Sequence, residues 1–276
     1  MGQSHASKRR QRKVTTKMAD PLSIAGQPVR CEVDGPVATL TMDRPERRNA
    51  ISIELVSGLT HTLEKVALRE DIRIVVLTGE GDRFFCPGAD LGGDRSSDAR
   101  LNEKDLRASV LLHDMPQLTI AAVNGAAAGA GMGLATACDL RVASSTAMFN
   151  TAFLAVGVAG DFGLLWTLSQ IVGPAKAREL FFLRGKFDAH EAHRLGIVSD
   201  VFDPSVFRAE VSAIVDRLAA AAPRALATMK ANFLAAERLA FADFFDLEIS
   251  RHLHLTDGPE FREGVKAYVE RRNATF

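Results

Sequence analysis

The chain has 276 residues, of which 47% are hydrophobic and 25% charged. This size and balance fit one large globular domain, with or without a smaller appendage, and exclude a short disulfide-stapled scaffold, a fibrous repeat and disorder throughout. Lysine plus arginine number 34, as do aspartate plus glutamate, so the formal net charge is zero. The three cysteines do not suggest a disulfide framework, and we expect reduced thiols in the cytoplasm.

The balanced charge conceals a basic N-terminal segment. Residues 1–20 carry six basic side chains and one acid, a local charge of +5, so the rest of the chain carries −5. Without an apolar centre or an apolar helical stripe, residues 1–20 are interpreted as a disordered arm. A mitochondrial presequence, or a true start at Met18, stays open. The arm has no aromatic side chain for base stacking, and we do not expect nucleic acid as a partner.

The first elements predicted are a strand, a helix and a second strand. Residues 37–42 alternate and are rich in β-formers, and the run ends before Pro45. From Asn49 apolar residues recur at helical spacing, and residues 72–77 form the next apolar run, which leads into a loop that reaches Gly88.

The middle of the chain continues the alternation. Residues 118–123 predict a strand, a helix of small residues follows Asn124 and Gly125, and residues 140–143 predict another strand. Because crossover helices connect parallel strands, this order predicts an α/β fold with largely parallel pairing over residues 21–203.

The uncharged stretch from Met115 to Cys138 is long enough to cross a bilayer. It is interrupted by Pro116, Asn124 and four glycines, so we predict a buried strand, turn and helix and no membrane span.

Residues 204–276 are predicted to form a helical C-terminal region. Its last helix carries Phe261, Val265, Tyr268 and Val269 on one face. Such apolar faces exceed what one domain can cover, so we expect them to be buried between subunits of an oligomer.

Several common catalytic motifs are missing from the sequence. There is no GxSxG, Walker or HExxH motif, and the run from Gly129 fails the GxGxxG pattern because residue 134 is leucine. The seven histidines form no recognisable ligand motif, so no metal site is expected.

Two glycine-rich loops each follow a predicted strand, at residues 84–91 and 124–133. Small residues allow backbone N–H groups to approach a ligand closely, and the second loop opens a helix whose N-terminus favours negative charge. Two converging N–H donors would form an oxyanion hole. The alternative is that the glycines serve only tight turns and close packing.

The order and spacing of six segments resemble the crotonase (enoyl-CoA hydratase/isomerase) superfamily. They are residues 43–50, 75–79, 85–91, 121–125, 138–139 and 261–265. The resemblance covers about residues 27–276. It implies a spiral of ββα units, a C-terminal helical trimerisation segment, homotrimers or dimers of trimers, and acyl-CoA thioester substrates, with no separate cofactor.

The same resemblance assigns the site residues. The oxyanion-hole amides are those of Ala89 and Ala130. The positions expected to contact the acyl-CoA are Arg47, Arg48, Ala50, Gly88, Asp90, Leu91, Gly129, Phe153 and Trp166. For the two arginines, simple solvation after a turn is an equal alternative. For Phe153 and Trp166 the alternative is core packing, and for Asp90, as for Asp139, it is structural hydrogen bonding.

Hydratases of this family use two catalytic glutamates. By resemblance, this chain has Gly133 and Phe153 at the matching positions. Neither residue transfers a proton, so two-glutamate water addition is not expected. Residues 157–166 instead resemble a segment of phenylacetate-pathway isomerases, with Gly160 where those enzymes have proline. Asp161 in this segment also resembles the catalytic acid of dienoyl-CoA isomerases and the nucleophile of 4-chlorobenzoyl-CoA dehalogenases.

Asp161 is therefore the candidate acid/base. It is the one charged residue between Met148 and Gln170, and we expect partial desolvation to raise the pKa of its carboxyl. The alternative is that it caps a helix beginning near Phe162. The sequence favours an enoyl-CoA isomerase, with an Asp-dependent hydratase, hydrolase or dehalogenase-like enzyme as second hypothesis and a catalytically degenerate binding protein as third.

Overall fold

The computed structural model describes residues 22, 26–92 and 103–276, and the basic arm predicted at residues 1–20 lies outside them. The strands are β1 (Val29–Asp34), β2 (Val37–Met42), β3 (Ile74–Gly79), β4 (Phe84–Cys86), β5 (Leu118–Val123), β6 (Ala126–Ala128), β7 (Leu140–Ser144), β8 (Met148–Asn150), β9 (Phe187–Asp188) and β10 (Asp200–Phe202). The α-helices are α1 (Ile53–Ala67), α2 (Ala108–Asp114), α3 (Ala130–Ala137), α4 (Leu164–Val172), α5 (Pro174–Phe182), α6 (Ala189–Arg194), α7 (Phe207–Ala219), α8 (Pro223–Ala236), α9 (Phe241–Thr256) and α10 (Pro259–Glu270).

The described strands form two sheets. The larger has the order β1-β2-β3-β5-β7-β10, and the smaller has the order β4-β6-β8-β9. Strands β1 and β2 pair antiparallel, whereas each pair from β2 to β10 runs parallel. In the small sheet β4, β6 and β8 are parallel and β9 closes the edge antiparallel. The predicted α/β fold with largely parallel pairing is confirmed.

Local side chains explain where the elements begin. Helix α1 begins at Ile53 because the Ser52 side chain accepts the Leu55 N–H at 3.3 Å. Strand β5 covers the predicted residues, whereas β3 begins two residues after the predicted start. The small-residue helix begins later than expected, since residues 126–128 first pair as β6 with β4 and β8.

Two hydrophobic layers enclose the large sheet. On the inner face, α1 contributes fully buried leucines such as Leu55, Leu59 and Leu63. On the outer face, Phe207 and Val215 of α7 pack on residues of β3, β5 and β7. Burying one such side chain stabilises the fold by about 1.5–3 kcal/mol. The central strands are thus covered on both faces, as parallel strands require.

Helices α8–α10 follow α7 and expose large apolar side chains in the single chain. The four residues predicted to share a face of α10 are all exposed, with Tyr268 at 86% and Val269 at 74%. Phe233 and Phe241, on α8 and α9, are exposed as well. These helices therefore carry apolar surface that the described fold leaves uncovered.

Helix α8 is fastened to the sheet by a buried ion pair. The Nζ of Lys230, whose side chain is 2% exposed, lies 2.8 Å from Asp139 Oδ2 and donates to the Gln117 carbonyl. The same Asp139 oxygen accepts from the N–H and the hydroxyl of Thr119. Asp139 thus has a structural role, in line with the alternative raised from the sequence.

Within the described residues, no helix combines the length and apolar character needed to cross a bilayer.

Replacing Lys230 should destabilise the protein, because removing one partner of a buried pair leaves the other charge uncompensated. We expect Lys230→Ala to lower the free energy of unfolding by about 3 kcal/mol in urea titrations at fixed protein concentration. Lys176→Ala, which removes the surface pair with Glu179, is the control and should cost under about 1 kcal/mol. Equal losses in the two variants would contradict the assignment.

Candidate active site

The amide of Ala89 lies on a loop that follows β4. Ile51 donates its N–H to the Gly88 carbonyl at 2.8 Å, and Asp90 donates to the Ile51 carbonyl at 2.9 Å. In this parallel bridge the Ala89 N–H points away from residue 51, and it has no acceptor in the described part of the chain. The loop therefore holds a free, fixed N–H donor.

The second amide belongs to Ala130, the first residue of α3. Gly129 precedes it at φ +50° and donates its own N–H to the Asn150 carbonyl at 2.9 Å. The first N–H groups of a helix lack intrahelical acceptors, so the Ala130 amide is available to a ligand and the helix dipole favours negative charge there.

The two donors lie on neighbouring segments because α3 begins directly beside the loop. A Cβ built on Gly88 would lie 3.8 Å from the Ala130 nitrogen, and Ala89 is the next residue. A Cβ on Gly131 would overlap the Cys86 carbonyl, so only glycine permits α3 to approach the end of β4 this closely. Two convergent backbone donors of this kind can stabilise an oxyanion.

Asp90 is held by arginines. Its carboxylate accepts two bonds from Arg47, at 2.7 and 3.0 Å, and one from Arg44 at 3.2 Å. These bonds, those of Arg47 above all, lower the pKa of Asp90, so it is a poor proton carrier near neutral pH. Arg44 also donates to the Ala50 carbonyl, which fixes the turn before α1.

The arginines predicted to contact CoA are placed differently from one another. Arg47 is exposed but engaged by Asp90, so part of its charge is compensated locally. Arg48, at φ +60°, lies with its guanidinium 5.6 Å from the centre of the Phe84 ring. Leu91 is exposed at the end of the same loop. Contacts of these residues with a substrate stay predictions.

The positions that the resemblance assigns to glutamates hold no proton-transfer group. A Cβ on Gly133 would lie 2.9 Å from Phe162 Cβ and 3.3 Å from the Phe162 carbonyl oxygen. Phe153 is buried and stacks on Phe181 with ring centres 6.3 Å apart, beside Gly129. An apolar ring and the backbone of a turn fill the space.

Asp161 lies in the turn before α4. That helix begins at Leu164, with Gly163 as its N-cap and no side-chain capping bond, so the capping alternative for Asp161 is wrong. Instead its backbone carbonyl accepts the Leu164 N–H at 3.1 Å. Phe162, at φ +46°, is a bulky residue in a left-handed conformation that costs on the order of 1–3 kcal/mol.

The Asp161 carboxyl has no ion-pair or hydrogen-bond partner in the described part of the chain. The residue is exposed in the single chain, yet neighbouring atoms desolvate the carboxyl enough to raise its pKa, as predicted. Burial raises the pKa of the Cys86 thiol to about 12, with a further contribution from the charge of Asp161. The Asp161 carbonyl oxygen lies 3.6 Å from the point that a Cβ on Gly133 would occupy, so this residue lies beside α3.

The residues that precede and follow Asp161 in the sequence include several exposed apolar side chains. Leu154, Val156 and Leu165 are exposed, and so is Trp166. The Trp166 ring meets His113 edge-on, with centres 5.4 Å apart. Trp166 therefore belongs to a contact with α2 in addition to any role beside an acyl group.

Three parts of this site were not predicted from the sequence. They are the Arg47–Asp90 pair, the Phe162 contact with Gly133, and a buried hydroxyl pair between Thr136 and Thr167 at 2.7 Å. The isolated apolar Phe162 between Asp161 and Gly163 was the one local signal of the second contact. The described residues contain no cluster of three metal-ligating side chains.

Comparison with known proteins gives a consistent result. The family model "Enoyl-CoA hydratase/isomerase" matches residues 32–276. The 1,2-epoxyphenylacetyl-CoA isomerase of Escherichia coli is 34% identical over 253 residues, covering 88% of this chain and 96% of the relative. A probable enoyl-CoA hydratase of Rhodobacter capsulatus is 35% identical over 253 residues, covering 90% and 97%.

The solved structures that superpose on this chain include enoyl-CoA hydratases as well. An enoyl-CoA hydratase from Bacillus anthracis superposes with a TM-score of 0.82 at 25% identity, covering 91% of this chain and 99% of that one. A putative enoyl-CoA hydratase from Thermobifida fusca, in complex with CoA, gives 0.77 at 30% identity, covering 87% and 96%.

The raised pKa of Asp161 predicts that this carboxylate costs stability at neutral pH. An acid whose pKa is higher in the folded state binds its proton more tightly there, so stability falls as pH rises through the unfolded and folded values. Asp161→Asn should raise the thermal midpoint slightly at pH 7, with the difference shrinking below the ordinary aspartate range near pH 4. Asp34→Asn, at an exposed strand end, is the control. Destabilisation by Asp161→Asn at pH 7 would contradict the desolvation.

Proposed function

The chain belongs to the enoyl-CoA hydratase/isomerase family, and from this premise we propose that it shifts a carbon–carbon double bond in an acyl-CoA thioester, with Asp161 as its single acid/base. The observation that carries the proposal is the pairing of two free amides, Ala89 and Ala130, with one unpaired carboxyl nearby.

The two amides would bind the thioester oxygen. Removing a proton from the α-carbon of a 3-enoyl thioester, or from the γ-carbon of a 2-enoyl thioester, moves an electron pair toward that oxygen. Fixed N–H donors stabilise the resulting dienolate, and losing one such donor typically costs about 3 kcal/mol of transition-state stabilisation.

Asp161 would carry the proton between the two carbons. As a carboxylate it takes the proton from one carbon, and as a carboxylic acid it returns the same proton at the other end of the dienolate, so no other reactant is consumed. A desolvated carboxyl suits this work, because a raised pKa makes it a stronger base when ionised. The relative named as a 1,2-epoxyphenylacetyl-CoA isomerase supports isomerase chemistry on a CoA thioester.

Water addition by two glutamates is disfavoured by the residues at those positions. Gly133 has no room for a side chain, and the Phe153 ring is apolar and buried. The second candidate is an Asp161-dependent hydratase, hydrolase or dehalogenase-like reaction. The exposure of Asp161 in the single chain favours it, since water can reach the carboxyl.

Homotrimers, or dimers of trimers, are proposed as the working assembly. The support is the exposed apolar surface on α8–α10, including the four aligned residues of α10. Burial of these faces between copies of the chain would remove them from water.

Loss of the carboxylate should abolish double-bond migration and spare binding. With a trans-3-enoyl-CoA such as trans-3-decenoyl-CoA, we expect Asp161→Asn to lower kcat by about 100-fold or more, the usual loss for a general base. CoA-thioester affinity by calorimetry should change little, and Asp34→Asn should retain wild-type rates. In the wild type the acid limb of kcat/KM should lie above the ordinary aspartate pKa, since the base must be ionised.

An unchanged rate in Asp161→Asn would refute the assigned base. A covalent adduct on Asp161, detected by mass spectrometry, would instead support the second candidate.

The assembly is tested by light scattering at micromolar concentration. We expect a mass three or six times that of the chain, and we expect Val269→Glu to lower it by burying an unpaired charge. Lys266→Glu, on the same helix, is the control for a change of charge. A wild-type monomer would contradict the proposal.

A further inference from the structure

The turn that carries Asp161 has an unusual backbone. Gly160 has φ +139°, Phe162 φ +46° and Gly163 φ +71°, so three of four consecutive residues lie at positive φ. Glycine accepts such angles without strain, but phenylalanine does not. Phe162 is nevertheless 8% exposed and belongs to the main core. The Phe162 side chain is thus buried although its backbone is in a strained conformation.

Phe162 rests directly on α3. The Cβ of Phe162 lies 2.9 Å from the position that a Cβ of Gly133 would take, and the Asp161 carbonyl oxygen lies 3.6 Å from the same point. Gly133 is on the helix whose first residue, Ala130, supplies the second oxyanion amide. The backbone that bears the acid is therefore packed against the helix that bears the amide.

A buried pair of hydroxyls holds α3 and α4 together one turn further on. Thr136 Oγ1 and Thr167 Oγ1 are 2.7 Å apart. The Thr136 hydroxyl also donates to the Gly133 carbonyl at 3.3 Å, and the Thr167 hydroxyl donates to the Gly163 carbonyl at 3.2 Å. These contacts thus connect Gly133 of α3, which packs on Phe162, with Gly163, the residue that follows Phe162.

Leu165 closes the other side of the turn. A Cβ on Gly160 would overlap Leu165 Cδ1, so the leucine side chain occupies the space that a larger residue at position 160 would need. The turn is enclosed by α3 on one side and by α4's own first turn on the other.

We propose that Phe162 is a positioning residue, whose buried side chain wedges the turn against Gly133 and so fixes the Asp161 carboxyl relative to the Ala130 amide. The inference rests on the proposed function, because it gives Phe162 a role through Asp161. Phe162 itself does not touch the reacting atoms.

A wedge of this kind affects the chemical step more than binding. In the proposed mechanism the amides of Ala89 and Ala130, and not the Phe162 ring, bind the thioester oxygen, so KM should depend little on residue 162. Proton transfer depends steeply on the distance from carboxyl to carbon, and a displacement of about 1 Å can cost on the order of 100-fold in rate.

The variant Phe162→Gly separates the two contributions of this residue. Glycine removes the ring and also removes the backbone strain at φ +46°. If only the backbone conformation mattered, Phe162→Gly would keep its activity. If the ring positions the acid, kcat should fall about 10- to 100-fold on trans-3-decenoyl-CoA, with KM within about threefold. Phe162→Leu, which keeps a buried apolar side chain, should restore most of kcat.

Gly133→Ala tests the same contact from the helix. Its added methyl group would press on Phe162 Cβ without opening a cavity, and kcat should again fall about tenfold or more at nearly constant KM. This variant decides the question if Phe162→Gly does not fold. Phe207→Ala is the control, because it removes a buried ring from the opposite face of the sheet and should leave kcat unchanged.

The pH profile and a double-mutant cycle exclude a merely structural role. Without the buried ring, the exposed Asp161 carboxyl should be more fully hydrated, and the acid limb of kcat should move to lower pH. In an Asp161→Asn background, Phe162→Gly should cause no further loss of kcat, because both changes remove the same proton transfer.

Each outcome decides between the inferences. Full additivity of the two losses, or an unchanged kcat in both Phe162→Gly and Gly133→Ala, overturns the wedge and leaves the function of Asp161 standing. An unchanged kcat in Asp161→Asn overturns the proposed function, and the wedge with it.

Discussion

One backbone contact organises the site, the approach of α3 to the end of β4. Gly131 lies so close to the Cys86 carbonyl that any side chain at 131 would overlap it. That approach sets Ala130, the first residue of α3, beside the loop of Gly88 and Ala89. In the proposed mechanism this approach matters because both free amides are needed to stabilise the oxyanion, and a helix farther from β4 would separate them.

The same helix, α3, also contacts the turn that bears Asp161. Gly133 allows the turn of residues 160–163 to rest on α3, and the buried hydroxyls of Thr136 and Thr167 hold α4 in register with it. The Ala130 amide and the turn that bears the Asp161 carboxyl are thus both positioned by α3. The proposed mechanism needs these two groups at a constant separation, although Asp161 itself lies on a turn and is exposed in the single chain.

The sequence predicted those features that depend on periodicity or local chemistry. Strand β5 matched its predicted residues, and the parallel order followed from alternation of strands and helices. It did not predict β6, because residues 126–128 become a strand only through pairing with β4 and β8, which are distant in the chain. The Arg47–Asp90 pair and the Phe162 contact depend likewise on tertiary neighbours. The positions of Ala89 and Ala130 came from family resemblance, since alanine side chains carry no chemical signal of their own.

The amides of Ala89 and Ala130 belong to the main chain, whereas the Asp161 carboxyl belongs to a side chain. Substitutions therefore affect the two kinds of group differently. Any residue except proline at position 89 or 130 leaves an N–H in place, whereas a substitution such as Asp161→Asn removes the carboxyl altogether. In the proposed mechanism, a substitution can therefore change the proton carrier while the two amides still polarise the thioester. In that mechanism the type of reaction depends on a few side chains, whereas polarisation of the thioester depends on the backbone.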